Sequence, residues 1–163
     1  MAGPRAHGRL LAADVGELVG VSGTTIGQWA RRGYIRSSQA EAEPRVYAVE
    51  DVAEAAVVRA LLDRGVRRAE IRRVITRLRR DAAAGAWPLV SVRLATAGDG
   101  GRPRLLVRFD GAWHELRPRG WQRVAAVAGA VEEVAPGLIV ASRSGPRRPA
   151  GDVTPPARGA AAP

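Results

Sequence analysis

Cysteine is absent from this chain of 163 residues, and the histidines number two, His7 and His114. Disulfides and thiolate metal sites are excluded on that count. Lysine and asparagine are absent as well, so all 26 basic residues are arginine. No apolar run is long enough to cross a bilayer, and no signal peptide with a charged start and an apolar core is present. No Ser-His-Asp set, P-loop or dinucleotide fingerprint occurs. These absences predict a protein that is no enzyme, carries no cofactor and no metal, touches no membrane and resides in the cytoplasm. His114 reads as a packed strand residue rather than a base.

What is present is positive charge. The net charge is +10 and the isoelectric point about 11.6. Exclusive use of arginine reflects a compositional bias, which dilutes its chemical meaning. The planar guanidinium nevertheless donates two parallel hydrogen bonds, which suits phosphate. A polyanionic partner is expected.

Four stretches separate by composition. Residues 1–8 read as a flexible N-terminus and 9–86 as helical, with 15 arginines against 10 acids over 1–86. Residues 87–142 alternate apolar and polar positions around Asp/Gly turns, with 7 arginines against 5 acids. Residues 143–163 are a basic Pro/Gly/Ala tail with little apolar surface to bury, and disorder is expected there.

The helical half begins with a stripe of Leu11, Val15, Leu18 and Val19, which predicts a helix over 12–19. Gly20 ends it. Ser22 occupies an N-cap position, able to accept from the backbone of Thr24 or Thr25. A second helix follows over 23–32, ending at Gly33. Two short helices joined by a glycine-containing turn are the pattern of a helix-turn-helix. In the second helix Ile26, Trp29 and Ala30 point inward. Thr24, Gly27, Gln28 and Arg31 share the opposite face. Gln and Arg suit adenine and guanine edges, because each makes paired hydrogen bonds in the major groove. An ordinary solvated face has the same composition, so this stretch alone leaves both readings open. After a non-helical stretch, further helices are predicted from Val49 to Arg64 and from Arg67 to Ala83. Ala48, lacking a capping oxygen, predicts a loose start to the first of these. Glu70 and Arg73 are expected to pair on the second. Arg67, Arg68, Arg72 and Arg79 read mainly as solvated surface, with contact to a DNA backbone as the alternative.

The residues "LVGVSGTTIGQWARRGYI" and "RVYAVEDVAEAAVVRALLDRGVRRAEIRRVI" together resemble the MerR family of bacterial transcription regulators. The resemblance covers about seventy residues. It implies a mainly α, winged helix-turn-helix domain over 9–86. It further implies a recognition helix in the major groove of double-stranded DNA and a wing over 35–46 on the sugar-phosphate backbone. Thr24, Thr25, Gln28, Arg31 and Arg32 become base- or groove-facing residues, and Arg36 and Arg45 wing contacts to phosphate. Tyr47 either packs the wing or donates its hydroxyl to a phosphate. Gly27 and Gln28 stand where many members carry Arg-Tyr or Arg-Arg. A nucleoid-associated homodimer is the implied state.

The family's usual dimerising coiled coil does not follow, since no heptads are sustained after "GAWP". Residues 87–142 predict a small α+β module of β-hairpins plus one helix. Val90, Val92 and Leu94 alternate as a strand, and Leu105, Val107 and Phe109 form the next. Asp110-Gly111 predicts a two-residue hairpin that sets Arg108 opposite Trp113 and Val107 opposite His114. A helix over 121–134 and a last strand over 137–142 complete the module. About 55 residues are marginal alone. The module is therefore expected to pack on the helices, on a second copy or on a protein partner. Two other functions fit the same sequence: an antitoxin-like protein that autoregulates its promoter and holds a partner through 87–163, or a nonspecific nucleic-acid-binding architectural protein.

Overall fold

The computed structural model describes residues 10–36, 44–81, 87–98, 100–125 and 129–134. Most of the wing, the expected strand over 137–142 and the tail over 143–163 lie outside the described residues.

Helix α1 (Ala12–Val19) and helix α2 (Gly23–Arg31) are joined by three residues. Gly20 makes the turn at φ 81°. The two helices approach so closely that neither tolerates a side chain at the contact. A Cβ on Gly16 would stand 2.6 Å from the Val21 carbonyl oxygen, and one on Gly23 would stand 3.0 Å from Ala13 Cα. Helix α3 (Val49–Asp63) and helix α4 (Arg68–Arg80) follow. Their apolar stripes, including Val52, Leu61, Ile71, Ile75 and Leu78, are buried.

Ala48 gives α3 no side-chain cap, as expected, but the first turn has a tie that the expectation did not include. The Asp51 carboxylate accepts the Ala48 N–H at 2.8 Å and the Trp87 indole N–H at 2.9 Å. The residue three positions into the helix thus makes the reciprocal half of a capping box, holding the N–H of the cap residue, while Ala48 itself supplies no cap oxygen.

The second half differs from its expected layout in two places. Residues 88–91 are a single helical turn, α5 (Pro88–Ser91), rather than the start of a strand. Pro88 opens it, where a missing N–H costs nothing. The buried Glu54 carboxylate accepts the Leu89 N–H at 3.0 Å. The helix expected over 121–134 is not found among its described residues. They contribute two strands to a five-stranded antiparallel sheet of order β4-β3-β2-β1-β5. The strands are β1 (Arg93–Gly98), β2 (Arg104–Phe109), β3 (Ala112–Arg117), β4 (Gly120–Arg123) and β5 (Ala130–Val134). Alanine-rich composition suggests helix here, but the described residues pair as strands with β3 and β1, and Gly129 sits at φ 91°. The Asp110-Gly111 hairpin has the expected register, Arg108 opposite Trp113 and Val107 opposite His114. The Arg108 guanidinium lies 5.7 Å from the centre of the Trp113 ring.

The sheet packs on the helices of the same chain. Leu89, Leu94, Leu105, Val107 and Val134 belong to one buried cluster with Val15, Ile26, Trp29, Leu61 and Leu78. On the other face of the sheet Ala95, Ala97 and Leu106 form a second small cluster. Polar ties reinforce the docking. Arg64 donates to the carbonyls of Glu132 at 3.2 Å and Glu133 at 3.3 Å. The Trp121 indole donates to Asp81 at 2.9 Å, and this bond, with that from Arg77, holds the Asp81 carboxyl below its ordinary pKa.

Glu70 does not pair with Arg73; its carboxylate accepts the backbone N–H of the buried Leu105 at 2.9 Å. Replacing Glu70 by Ala leaves that N–H without its acceptor, which costs about 1–3 kcal/mol. Urea unfolding of Glu70→Ala is expected to show a lower midpoint, with a loss of unfolding free energy of that size. An unchanged midpoint would mean that the tie contributes nothing to the docking.

Candidate nucleic-acid interface

Helix α2 is held from three sides, and its remaining face is free. At its start the Ser22 hydroxyl oxygen accepts the Thr25 N–H at 3.1 Å and lies 2.9 Å from the Thr25 hydroxyl. The Thr25 side chain is thereby engaged in the cap and is half-buried, whereas Thr24 is exposed. On the inner side Ile26 and Trp29 are buried. At the exit Gly33 turns the chain at φ 77°, and Tyr34 donates its N–H to the Trp29 carbonyl at 2.9 Å. Tyr34 and Ile35 then enter the core.

Gln28, Arg31 and Arg32 are exposed along α2 and its C-cap. The Arg31 guanidinium lies 3.5 Å from where a Cβ of Gly27 would stand. The bare backbone at Gly27 therefore leaves room for Arg31 to lie back along the helix. Thr24, Gln28 and Arg31 share one face, with Arg32 beside it. Arg36 is exposed, Arg45 is half-buried, and residues 37–43 between them lie outside the described residues. Tyr47 is fully buried and pairs through its backbone with Leu10. Of its two expected roles, packing is the one this position serves.

Two arginines that sequence reasoning did not assign to positioning fix the helix-turn-helix from behind. Arg59 of α3 donates to the Gly20 carbonyl in the turn between α1 and α2, and pairs with Asp63 at 2.8 Å. Arg79 of α4 donates to the Gly33 carbonyl at 2.7 Å, at the exit of α2. Behind Arg79 stands Glu54, with 3.9 Å between guanidinium and carboxylate. Burial pushes the Glu54 pKa up to about 7, against the lowering effects of the Leu89 N–H and Arg79. Burial likewise lowers the Arg79 pKa, and Glu54 opposes that. No periodic signal distinguishes Arg59 and Arg79 from the other arginines. Their roles depend on carbonyls 39 and 46 positions away.

The His114 ring nitrogen Nδ1 lies 3.1 Å from the Ala112 carbonyl, and the ring packs 5.5 Å from Phe109. Among the described residues no group of three His, Asp or Glu side chains is placed to hold a metal ion, and no helix is long and apolar enough to cross a membrane.

Residues 12–78 match the family model described as MerR HTH family regulatory protein. No curated protein and no solved structure matches the chain. The match begins at the first residue of α1 and ends in the last turn of α4, so α5 and the sheet lie beyond it. Residues 12–78, less than half of the chain, are thus similar to the helix-turn-helix region of the MerR regulatory family.

Proposed function

We propose that this protein is a sequence-specific, double-stranded-DNA-binding transcription regulator that acts as a homodimer. Helix α2 enters the major groove, and the segment 35–46 lies on the sugar-phosphate backbone. The observation that carries this reading is the exposed face of Thr24, Gln28 and Arg31 on a helix anchored at both ends and along its inner side. Such anchoring holds the reading side chains in register with base edges. Gln28 would read adenine and Arg31 guanine by paired hydrogen bonds. Thr25 and Arg32 flank that face, and Arg36 and Arg45 neutralise phosphates. The module over 87–142 supplies the second contact of the dimer or a protein partner.

The test is selection from randomised duplexes by the purified chain near physiological salt. A palindrome with half-sites about one helical turn apart, ~34–36 Å, is the expected product. Against that duplex Arg31→Ala should lose about 1–3 kcal/mol and relax preference at one base. Selection that enriches no sequence would overturn base reading and leave a nonspecific binder.

A further inference from the structure

A trough runs between α4 and the β-sheet. It consists of adjoining cavities of about 580, 370 and 430 Å³ that share Arg117 and Pro118. Nine arginines and two carboxylates line it. Both carboxylates are engaged. Glu70 holds the Leu105 N–H, and Glu115 pairs with Arg104 at 3.4 Å and Arg117 at 2.8 Å. Arg73, Arg80 and Arg102 are exposed and form no carboxylate ion pair within 4 Å among the described residues; Arg80 acts at longer range on the neighbouring Asp81. The floor is apolar, with Leu116, Pro103 and Pro118.

We propose that this trough binds the phosphate backbone of nucleic acid, as a contact separate from the recognition helix. Concentrated unpaired arginine is costly unless an anion neutralises it, and the guanidinium fork matches phosphate oxygens. Shape selects among anions. The 13-residue α4 is about 20 Å long, and the arginines are spread along it and not gathered around one point. A compact anion would engage one cavity, whereas a phosphodiester strand presents charges along the whole line. The inference rests on the DNA-binding reading for the identity of the anion, and not on sequence specificity.

The test uses the full chain and the triple variant Arg73→Ala, Arg80→Ala, Arg102→Ala. Affinities for a selected 30-base-pair duplex and for a scrambled duplex of equal length are measured between about 50 and 200 mM salt. The variant is expected to bind both duplexes roughly tenfold or more weakly, with the slope of log K against log salt reduced by about two to three. The ratio between the two duplexes and the thermal unfolding curve should stay as in the parent chain. An unchanged slope overturns the trough as a phosphate site, even if discrimination between duplexes is intact. A reduced slope with no discrimination in the parent chain upholds the trough and overturns base reading. Competition by a polyglutamate peptide at lower concentrations than the scrambled duplex also overturns it, in favour of an acidic protein partner.

Discussion

Gly16→Ala is expected to destabilise the protein by about 3 kcal/mol, a magnitude at the upper end for overpacking. Alanine is ordinarily the better helix residue, by roughly 1 kcal/mol over glycine. Here contact reverses that preference. The added methyl would meet the Val21 carbonyl oxygen at 2.6 Å, Gly23 N at 2.9 Å and the Ser22 carbonyl carbon at 2.9 Å. All three are backbone atoms of the turn, and the turn cannot retreat freely. The Gly16 carbonyl accepts the N–H groups of Gly20 at 2.8 Å and Val21 at 2.9 Å, and Arg59 holds the Gly20 carbonyl. Relief would require α1 and α2 to separate, which uncovers Val15 and Ile26, both fully buried. At this chain length each kcal/mol corresponds to roughly 2–4 °C, so a loss of about 6–12 °C in Tm is expected. Gly27→Ala is the internal comparison. Its methyl would meet only the Arg31 guanidinium at 3.5 Å, an ordinary contact, and the variant should be neutral or more stable. Equal melting temperatures for the two variants would show that the turn moves, and that glycine at 16 is not needed for the close approach.

The second large effect concerns Glu54, which is fully buried. Its pKa rises from an ordinary 4.5 to about 7, chiefly because burial disfavours the charged form. Below pH 4.5 the carboxyl is protonated in both folded and unfolded chains and contributes no pH dependence. Between 4.5 and about 7 the unfolded chain releases the proton while the folded chain retains it, so stability falls as pH rises. Above about 7 both states are ionised and the loss is complete. The full difference is on the order of 3 kcal/mol. Glu54→Gln keeps an oxygen for the Leu89 N–H and removes the titration. Its stability should therefore vary less between pH 4.5 and 7 than that of the parent chain, by an amount of that order. Parallel stability curves for the two proteins over this window would show that Glu54 does not titrate there.

Much of the helical half was legible because its signals are local. Gly20, Ser22 and Gly33 mark the ends of two helices, and the stripes through Ile26 and Trp29 and through Ile71, Val74, Ile75 and Leu78 mark their buried sides. The hairpin at Asp110-Gly111 was equally legible, since a two-residue turn dictates register. Three features were not. The tie at the start of α3 depends on Asp51 reaching back to Ala48 and on an indole 36 positions away. Residues 88–91 carry the same apolar alternation as a strand, and their helical turn is capped by a carboxylate from α3. Residues 121–134 have helical composition, yet their strands pair with β3 on one side of the sheet and β1 on the other. In the last two a distant partner overrides a local preference, and in the first a distant indole joins a local contact. The base-facing candidates show the opposite limit. Thr24, Gln28 and Arg31 were found from helical spacing, whereas the arginines that hold their helix in place are visible only in three dimensions.

Sheets with bare rims recruit strands from neighbouring molecules and can seed fibrils. Among the described residues β5 forms one rim, and Arg64 occupies the carbonyls of Glu132 and Glu133 there. The exposed Glu132 side chain adds a negative charge there, which repels an identical strand from a second molecule, while Glu133 pairs with Arg93 at 2.7 Å. The opposite rim, β4, has only four residues and follows Pro118. A template that short offers an incoming chain little to copy. The sheet is thus guarded against runaway self-association by one cation at one border and by brevity at the other.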